Sequence, residues 1–258
     1  MAAFAASKRE LLEVLDPTAL ARLASLGVAH GTNALSPEAD NNILSLDWPE
    51  LERVLPDRGF PRGVVEIASP ITKHGAMRGG ATTIALSAIR AVQKSDPRAW
   101  CAWITEANAS PLYAPAVAQA GVDLERLLVV RPQPADLART VVKVASSGAF
   151  DLVVVDAPAG LDGRLTIAAD AGTKTAVRRP AASRARVDGS VVVRKLALAA
   201  EGQGTTFLVL TNVFTSRAVP WPVALRIEVE RRPEAIALRV TKDRRGRASS
   251  QHVVRVAC

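Results

Sequence analysis

Aromatic and sulfhydryl side chains are in short supply in this chain: 4% of its 258 residues are Phe, Trp or Tyr, and two are Cys. So few rings do not furnish the series of aromatic faces on which successive bases of a single strand stack. Cys101 falls in an apolar run and Cys258 ends the sequence, so no disulfide framework is expected. His30, His74 and His252 stand at no zinc-ligand spacing from either cysteine, and no metal site is expected. Long hydrophobic runs are missing too. The apolar stretches 152–155 and 191–193 fall far short of the roughly 20 residues that cross a bilayer. The opening MAAFAASKRELLEVL lacks the basic start, apolar run and cleavage site of a signal peptide. A reduced, cytoplasmic protein without a membrane partner is expected.

What is abundant is positive charge. The formal net charge is +8, with arginines crowding the last third. That balance suits an anionic partner, either nucleic acid or an acidic protein face, and it equally suits a plainly solubilising surface.

The chain divides into a helical arm with its linker, residues 1–42, and a body, residues 43–258. Ser7 to Glu10 reads as a capping box opening an amphipathic helix that sets Leu11, Leu12 and Leu15 on one side. Asp16-Pro17 reads as an N-cap and first-turn proline for a second helix closing at Gly27. This arm either packs on its own body or docks on a neighbour, with Leu11, Leu12 and Leu15 as the contact.

In the body, apolar runs alternate with helix-period segments. Trp100 to Thr105, Leu127 to Val130, Leu152 to Asp156 and Thr206 to Thr211 read as strands, the third of them apolar enough for the middle of a parallel sheet. Segments Leu112 to Ala120, Ala135 to Ser147 and about Val187 to Ala200 read as helices. The alternation predicts an α/β fold, a doubly wound, mostly parallel sheet with helices on both faces. The tail reads as period-two strands, Val223 to Glu230, Ala235 to Thr241 and His252 to Val256, predicted to extend the sheet antiparallel with one solvated face.

The organising stretch is GVVEIASPITKHGAMRGGATTIALSAIRAVQ, Gly63 to Gln93. A β-branched run leads into a loop read as holding Pro70, Gly75, Gly79 and Gly80, and a helix is predicted from Thr82. Strand, glycine-rich loop and helix is the order in which backbone N–H groups cradle a phosphate. The lysine of that motif is absent: Ala81 follows Gly80, before Thr82 and Thr83. Either threonine hydroxyl suits Mg²⁺, and both suit an ordinary first helical turn. Asp156 ends the LVVVD run, where open α/β sheets place ligands, or is a turn residue before Ala-Pro. Glu106 ends the WIT run and could polarise a water, or simply starts a solvated loop.

Together these stretches resemble the core of the RecA recombinase fold. The resemblance is carried by GVVEIASP, GGATTIAL, CAWITEANASPLYAPAVAQAGVDLERLLVVRP, ARTVVKVASSGAFDLVVVDAPAGL and TTFLVLTN, and runs from about Ile43 to Thr241. It implies that Glu106 stands at the catalytic glutamate, Asp156 at the Walker B aspartate and Tyr113 at the adenine-stacking tyrosine. Lys242 and Arg244 match a basic pair that reaches nucleotide across a subunit interface. The departures are Ala81 for the phosphate lysine, Ser110 for an adenine-contacting aspartate, Val213 for a sensing glutamine, and VFTSRAVPWP for a long second DNA loop. Loss of a charge-assisted contact worth roughly 1.5–3 kcal/mol implies a vestigial site at Gly75, Gly79, Gly80, Thr82, Thr83 and Tyr113, with Glu106 and Asp156 no longer catalytic. No cofactor is expected, ATP and Mg²⁺ included, unless Lys73 or Arg78 replaces the missing charge.

A short, degenerate RecA-like chain is similar to the ImuA family, known also under a SulA-like label. That resemblance implies an accessory role in SOS mutagenesis and translesion synthesis. Its implied partners are RecA and ImuB, a polymerase homologue of the Y family. The connection from Gly163 to Arg186 overlaps the recombinase's first DNA loop and carries Arg164, Lys174, Arg178, Arg179, Arg184 and Arg186. It reads either as a solvated loop or as a phosphate contact, nonspecific and weak at about 10⁻⁴ to 10⁻⁶ M.

Overall fold

β-Branched and apolar residues dominate the central strands, and every one of them alternates its side chains between two helical layers. The computed structural model describes residues 43–70, 79–157, 161, 188–214 and 221–256. The arm, with Leu11, Leu12 and Leu15, lies outside them. A two-stranded antiparallel ribbon, β1 (Ile43–Leu44) with β2 (Phe60–Pro61), precedes the main sheet and encloses helix α1 (Pro49–Val54). Pro49 sits in the first turn of α1 without costing a hydrogen bond, and Glu52 accepts from Ser45 Oγ and the Leu46 amide, both at 2.7 Å.

The main sheet has eight strands: β3 (Gly63–Ser69), β4 (Cys101–Thr105), β5 (Leu127–Val130), β6 (Leu152–Asp156), β7 (Thr206–Asn212), β8 (Leu225–Arg232), β9 (Ala235–Asp243) and β10 (His252–Arg255). Their order across the sheet is β10-β9-β8-β3-β7-β6-β4-β5. Strands β5, β4, β6, β7, β3 and β8 run parallel, β9 pairs antiparallel with β8, and β10 pairs antiparallel with β9. The tail thus differs from the expected antiparallel extension in its first strand, because β8 joins β3 in parallel before the β8–β9 hairpin reverses direction.

Helices cover both faces. On one, Ile84, Ala88 and Ile89 of α2 (Gly79–Ser95) join Leu51 of α1 and Val117 of α3 (Ala114–Gln119) over Val65, Ile67, Trp103 and Val154. On the other, Leu137 and Val141 of α4 (Leu137–Ser147) and Val193 and Leu196 of α5 (Gly189–Gln203) lie over Val64, Ile104, Val153 and Phe207. α4 and α5 stop where Gly148 and Gly204 turn left-handed at φ +63° and +68°, a conformation glycine enters without steric cost. Burial, with the Asp151 charge nearby, pushes the Cys101 thiol up to about 12, so it stays a protonated core residue.

A salt-bridged clip ties the β9–β10 turn to the α1–β2 turn. Arg247 donates to Asp57 Oδ2 at 2.9 Å and to Asp243 Oδ2 at 2.8 Å, and Arg245 pairs with Asp57 Oδ1 at 3.1 Å. The hydrogen bond from Arg247, then its charge, holds the Asp57 carboxyl below the usual range. At Asp243 burial works upward, and the hydrogen bonds from Arg247 outweigh it. Both folded-state values lie below the unfolded one, so the stabilisation is complete above about pH 4 and is lost as pH falls through the folded values. Urea midpoints should therefore drop between pH 5 and pH 3, and the drop should shrink in Arg247→Met. An equal drop in that variant would show that the clip does not titrate with folding.

Candidate functional site

The carboxyl ends of the parallel strands meet along one rim, the place where open α/β sheets bind ligands. There β3 ends at Ser69, β4 at Thr105, β6 at Asp156 and β7 at Asn212. Register sets Thr105 beside Asp156 and Ser69 beside Asn212. The Thr105 hydroxyl donates to Asp156 Oδ2 at 3.5 Å, and the Val213 amide donates to the Ser69 carbonyl at 3.2 Å. With one strand between β3 and β6, Asp156 stands about 10 Å from the end of β3, close enough for both to face one ligand.

Glu106, one residue beyond β4, is half-buried at the same rim. Its loop is fastened by Arg131, whose Nη2 donates to the Ala107 carbonyl at 2.8 Å and the Ala109 carbonyl at 2.6 Å, while the Ala107 amide donates to the Pro132 carbonyl at 2.8 Å. Tyr113 is the N-cap residue of α3 and its side chain is 71% exposed.

The helix side of the rim departs from the expected loop. Gly79 and Gly80 are the first residues of α2, which begins three places before the predicted start at Thr82. Gly80 lies against the β8–β9 hairpin, but a Cβ built there would stand 3.5 Å from Ile236 Cγ2 and 3.6 Å from Val229 Cγ2, ordinary contact distances. Crowding therefore does not demand glycine at this position. Ala81 is fully buried, one of the core cluster that holds Ile67, Ile84, Val229 and Ile236. Position 81, where the resemblance implies a phosphate lysine, thus packs a methyl into apolar surroundings. Thr82 and Thr83 are half-buried in the same turn. Gly75, Lys73 and Arg78 lie outside the described residues, as do Arg164, Lys174, Arg178, Arg179, Arg184 and Arg186.

Lys242 and Arg244 are not brought to this rim. Lys242 is opposite Arg226, which is opposite Glu66, and its ammonium donates to the Trp221 carbonyl. Arg244 follows β9 and is exposed. Among the described residues no three His, Cys, Asp or Glu side chains converge as a metal site would need.

Two features were not read from the sequence. One is Arg131, which looks like an ordinary residue after a strand. The other is Glu66, a carboxylate in the middle of a buried strand, surrounded by Thr211, Trp221 and Arg226. A charged residue inside GVVEIAS is the visible sign of the second. A cavity of about 790 Å³ opens between Pro70, Val213, Phe214, Glu228 and Arg239.

This geometry agrees with what comparison with known proteins finds. Residues 37–217 match the family model of the RecA N-terminal domain. Protein RecA of Deinococcus radiodurans is 35% identical over 136 residues, which are 52% of this chain and 34% of that protein. Protein RecA of Lactobacillus delbrueckii subsp. bulgaricus is 38% identical over 128 residues, 47% of this chain and 34% of that protein. Protein RecA of Arthrospira platensis is 40% identical over 117 residues, 44% of this chain and 29% of that protein. The matches span about a third of the length of these relatives, at 34%, 34% and 29%. With the family model matching more than half of the sequence, this chain belongs to the RecA N-terminal domain family.

Proposed function

We propose that the chain is a non-catalytic, RecA-like accessory protein of DNA damage tolerance, of the ImuA kind, acting in the cytoplasm. In this reading it binds RecA and an ImuB-like polymerase partner and serves as a scaffold or regulator in translesion synthesis. The observation that carries it is the pairing of a retained rim, with Glu106 and Asp156 at neighbouring strand ends, with a buried methyl at Ala81. A methyl at position 81 supplies none of the positive charge that stabilises phosphoryl transfer from the β- and γ-phosphates.

Docking is supported by the edge strand β5. Its sequence is LLVV, it ends the sheet, and Leu128 and Val129 are 44% and 43% exposed. An apolar edge without charge or proline is open to pairing with another chain.

Purified protein should hydrolyse ATP no faster than buffer, with or without single-stranded DNA, while binding immobilised RecA. Turnover above background would overturn the reading. In that event, binding of a fluorescent ATP analogue lost in Lys73→Ala or Arg78→Ala would identify a rearranged phosphate loop. DNA affinity that falls steeply with salt, and falls again when Arg178 and Arg179 become alanine, would instead mark a nonspecific DNA-binding protein.

A further inference from the structure

The sheet face opposite α2 carries a polar layer that the rim does not use. Glu66 is fully buried there. Its Oε1 accepts from Thr211 Oγ1 at 2.6 Å, and its Oε2 accepts from the indole N–H of Trp221 at 2.9 Å and lies 3.5 Å from Arg226 Nε. Such a set of donors replaces the water that a buried carboxyl group has given up.

Trp221 also receives a bond. Its carbonyl accepts from the Lys242 ammonium. Lys242 arrives on this face because β9 carries a bulge. Arg226 stands opposite Lys242 and Ile227 opposite Val240, so Thr241 has no partner in the ladder. The extra residue resets the alternation and puts Lys242 on the side of Arg226. The Ala224 amide, donating to the Val64 carbonyl at 2.8 Å, fixes the far end of the same segment.

We propose that Trp221 is an autoinhibitory latch. Its indole N–H, seated on Glu66, holds its carbonyl on Lys242 and withholds that ammonium from a second chain. When the indole leaves Glu66, Lys242 becomes available to a carboxylate on a partner's surface. The identity of that partner as RecA rests on the function proposed above. The latch itself rests only on the contacts around Glu66.

The test has two arms. In the first, brief acetylation with acetic anhydride is read by mass spectrometry at Lys242 and at Lys94, an exposed reference with a side chain 69% accessible. Lys242 should react about tenfold more slowly than Lys94 in the wild type. Trp221→Phe and Glu66→Gln should each raise its rate by about tenfold, the change in population that loss of one charge-assisted hydrogen bond produces. Thr211→Val should act more weakly, since that hydroxyl does not touch Trp221. Equal rates at Lys242 and Lys94 in the wild type, or no change in Trp221→Phe, would overturn the latch.

In the second arm, binding to immobilised RecA should tighten by about tenfold in Trp221→Phe, and the gain should vanish in Trp221→Phe/Lys242→Ala. Faster labelling with unchanged or weaker RecA binding would overturn the inhibitory role. If neither the wild type nor any variant binds RecA, the choice of partner fails and the inhibitory role with it, while the labelling arm still decides whether the latch exists.

Discussion

Glu66→Ala is expected to lower the unfolding free energy by about 3–5 kcal/mol, the range seen when one partner of a buried ion pair is removed. For a domain of this size that corresponds to a fall in Tm of roughly 6–20 °C. The size follows from what the carboxylate holds together. Its two oxygens serve Thr211 at the end of β7, Trp221 before β8, and Arg226 within β8. Arg226 continues the chain of charge outward, donating to Glu228 at 2.9 Å, and Arg239 donates to the same Glu228 from β9 at 2.7 Å. Truncating Glu66 leaves the Thr211 hydroxyl and the Trp221 N–H without that acceptor inside the protein, each costing a desolvation penalty. Glu66→Gln keeps the shape and one acceptor, and should cost about 1–2 kcal/mol. Urea denaturation of both variants checks the ordering. A cost for Glu66→Ala below that of Glu66→Gln would mean that Arg226 and Trp221 find other partners and that the layer does not hold the strands.

The strands that proved easiest to read were those whose chemistry is uniform. LVVVD of β6 and TFLVLTN of β7 are apolar because helices cover them on both sides, and a continuous apolar run announces that burial. The carboxylates at the rim were legible for a related reason: Asp156 and Glu106 each end such a run, and strand ends of a parallel sheet are where ligands sit. Gly79 and Gly80 were misplaced because glycine discourages a helix locally, whereas here the turn packs on Val229 and Ile236 of the hairpin. That contact is tertiary, and no window of sequence around residue 80 contains it. The parallel course of β8 was hidden likewise. Period-two alternation, LRIEVERR, reports one buried and one wetter face but not the direction of the neighbouring strand. Glu66 and Trp221 are 155 residues apart, so their bond leaves no local trace beyond one charge in an apolar strand.

Ala81→Lys is expected to cost about 3 kcal/mol or more and to produce no hydrolysis of ATP. Position 81 is fully buried among apolar side chains of β3, α2 and the β8–β9 hairpin. A lysine there adds three carbons and a nitrogen to a filled space, an overpacking cost of roughly 1–3 kcal/mol, and desolvates an amine unless its stem turns out to water. The corresponding fall in Tm is about 6–12 °C. Restoring the letter of the motif therefore should not restore its function. At the same rim Val213 stands where the resemblance implies a sensing glutamine, and its amide is tied to the Ser69 carbonyl. Ala81→Ser supplies the control: a smaller side chain that should fold with a cost below about 1.5 kcal/mol. Thermal unfolding of both variants, with a phosphate-release assay on each, decides the matter. A stable Ala81→Lys protein that turns over ATP would mean that the rim is a working phosphate site lacking a single charge, and the non-catalytic reading would fall.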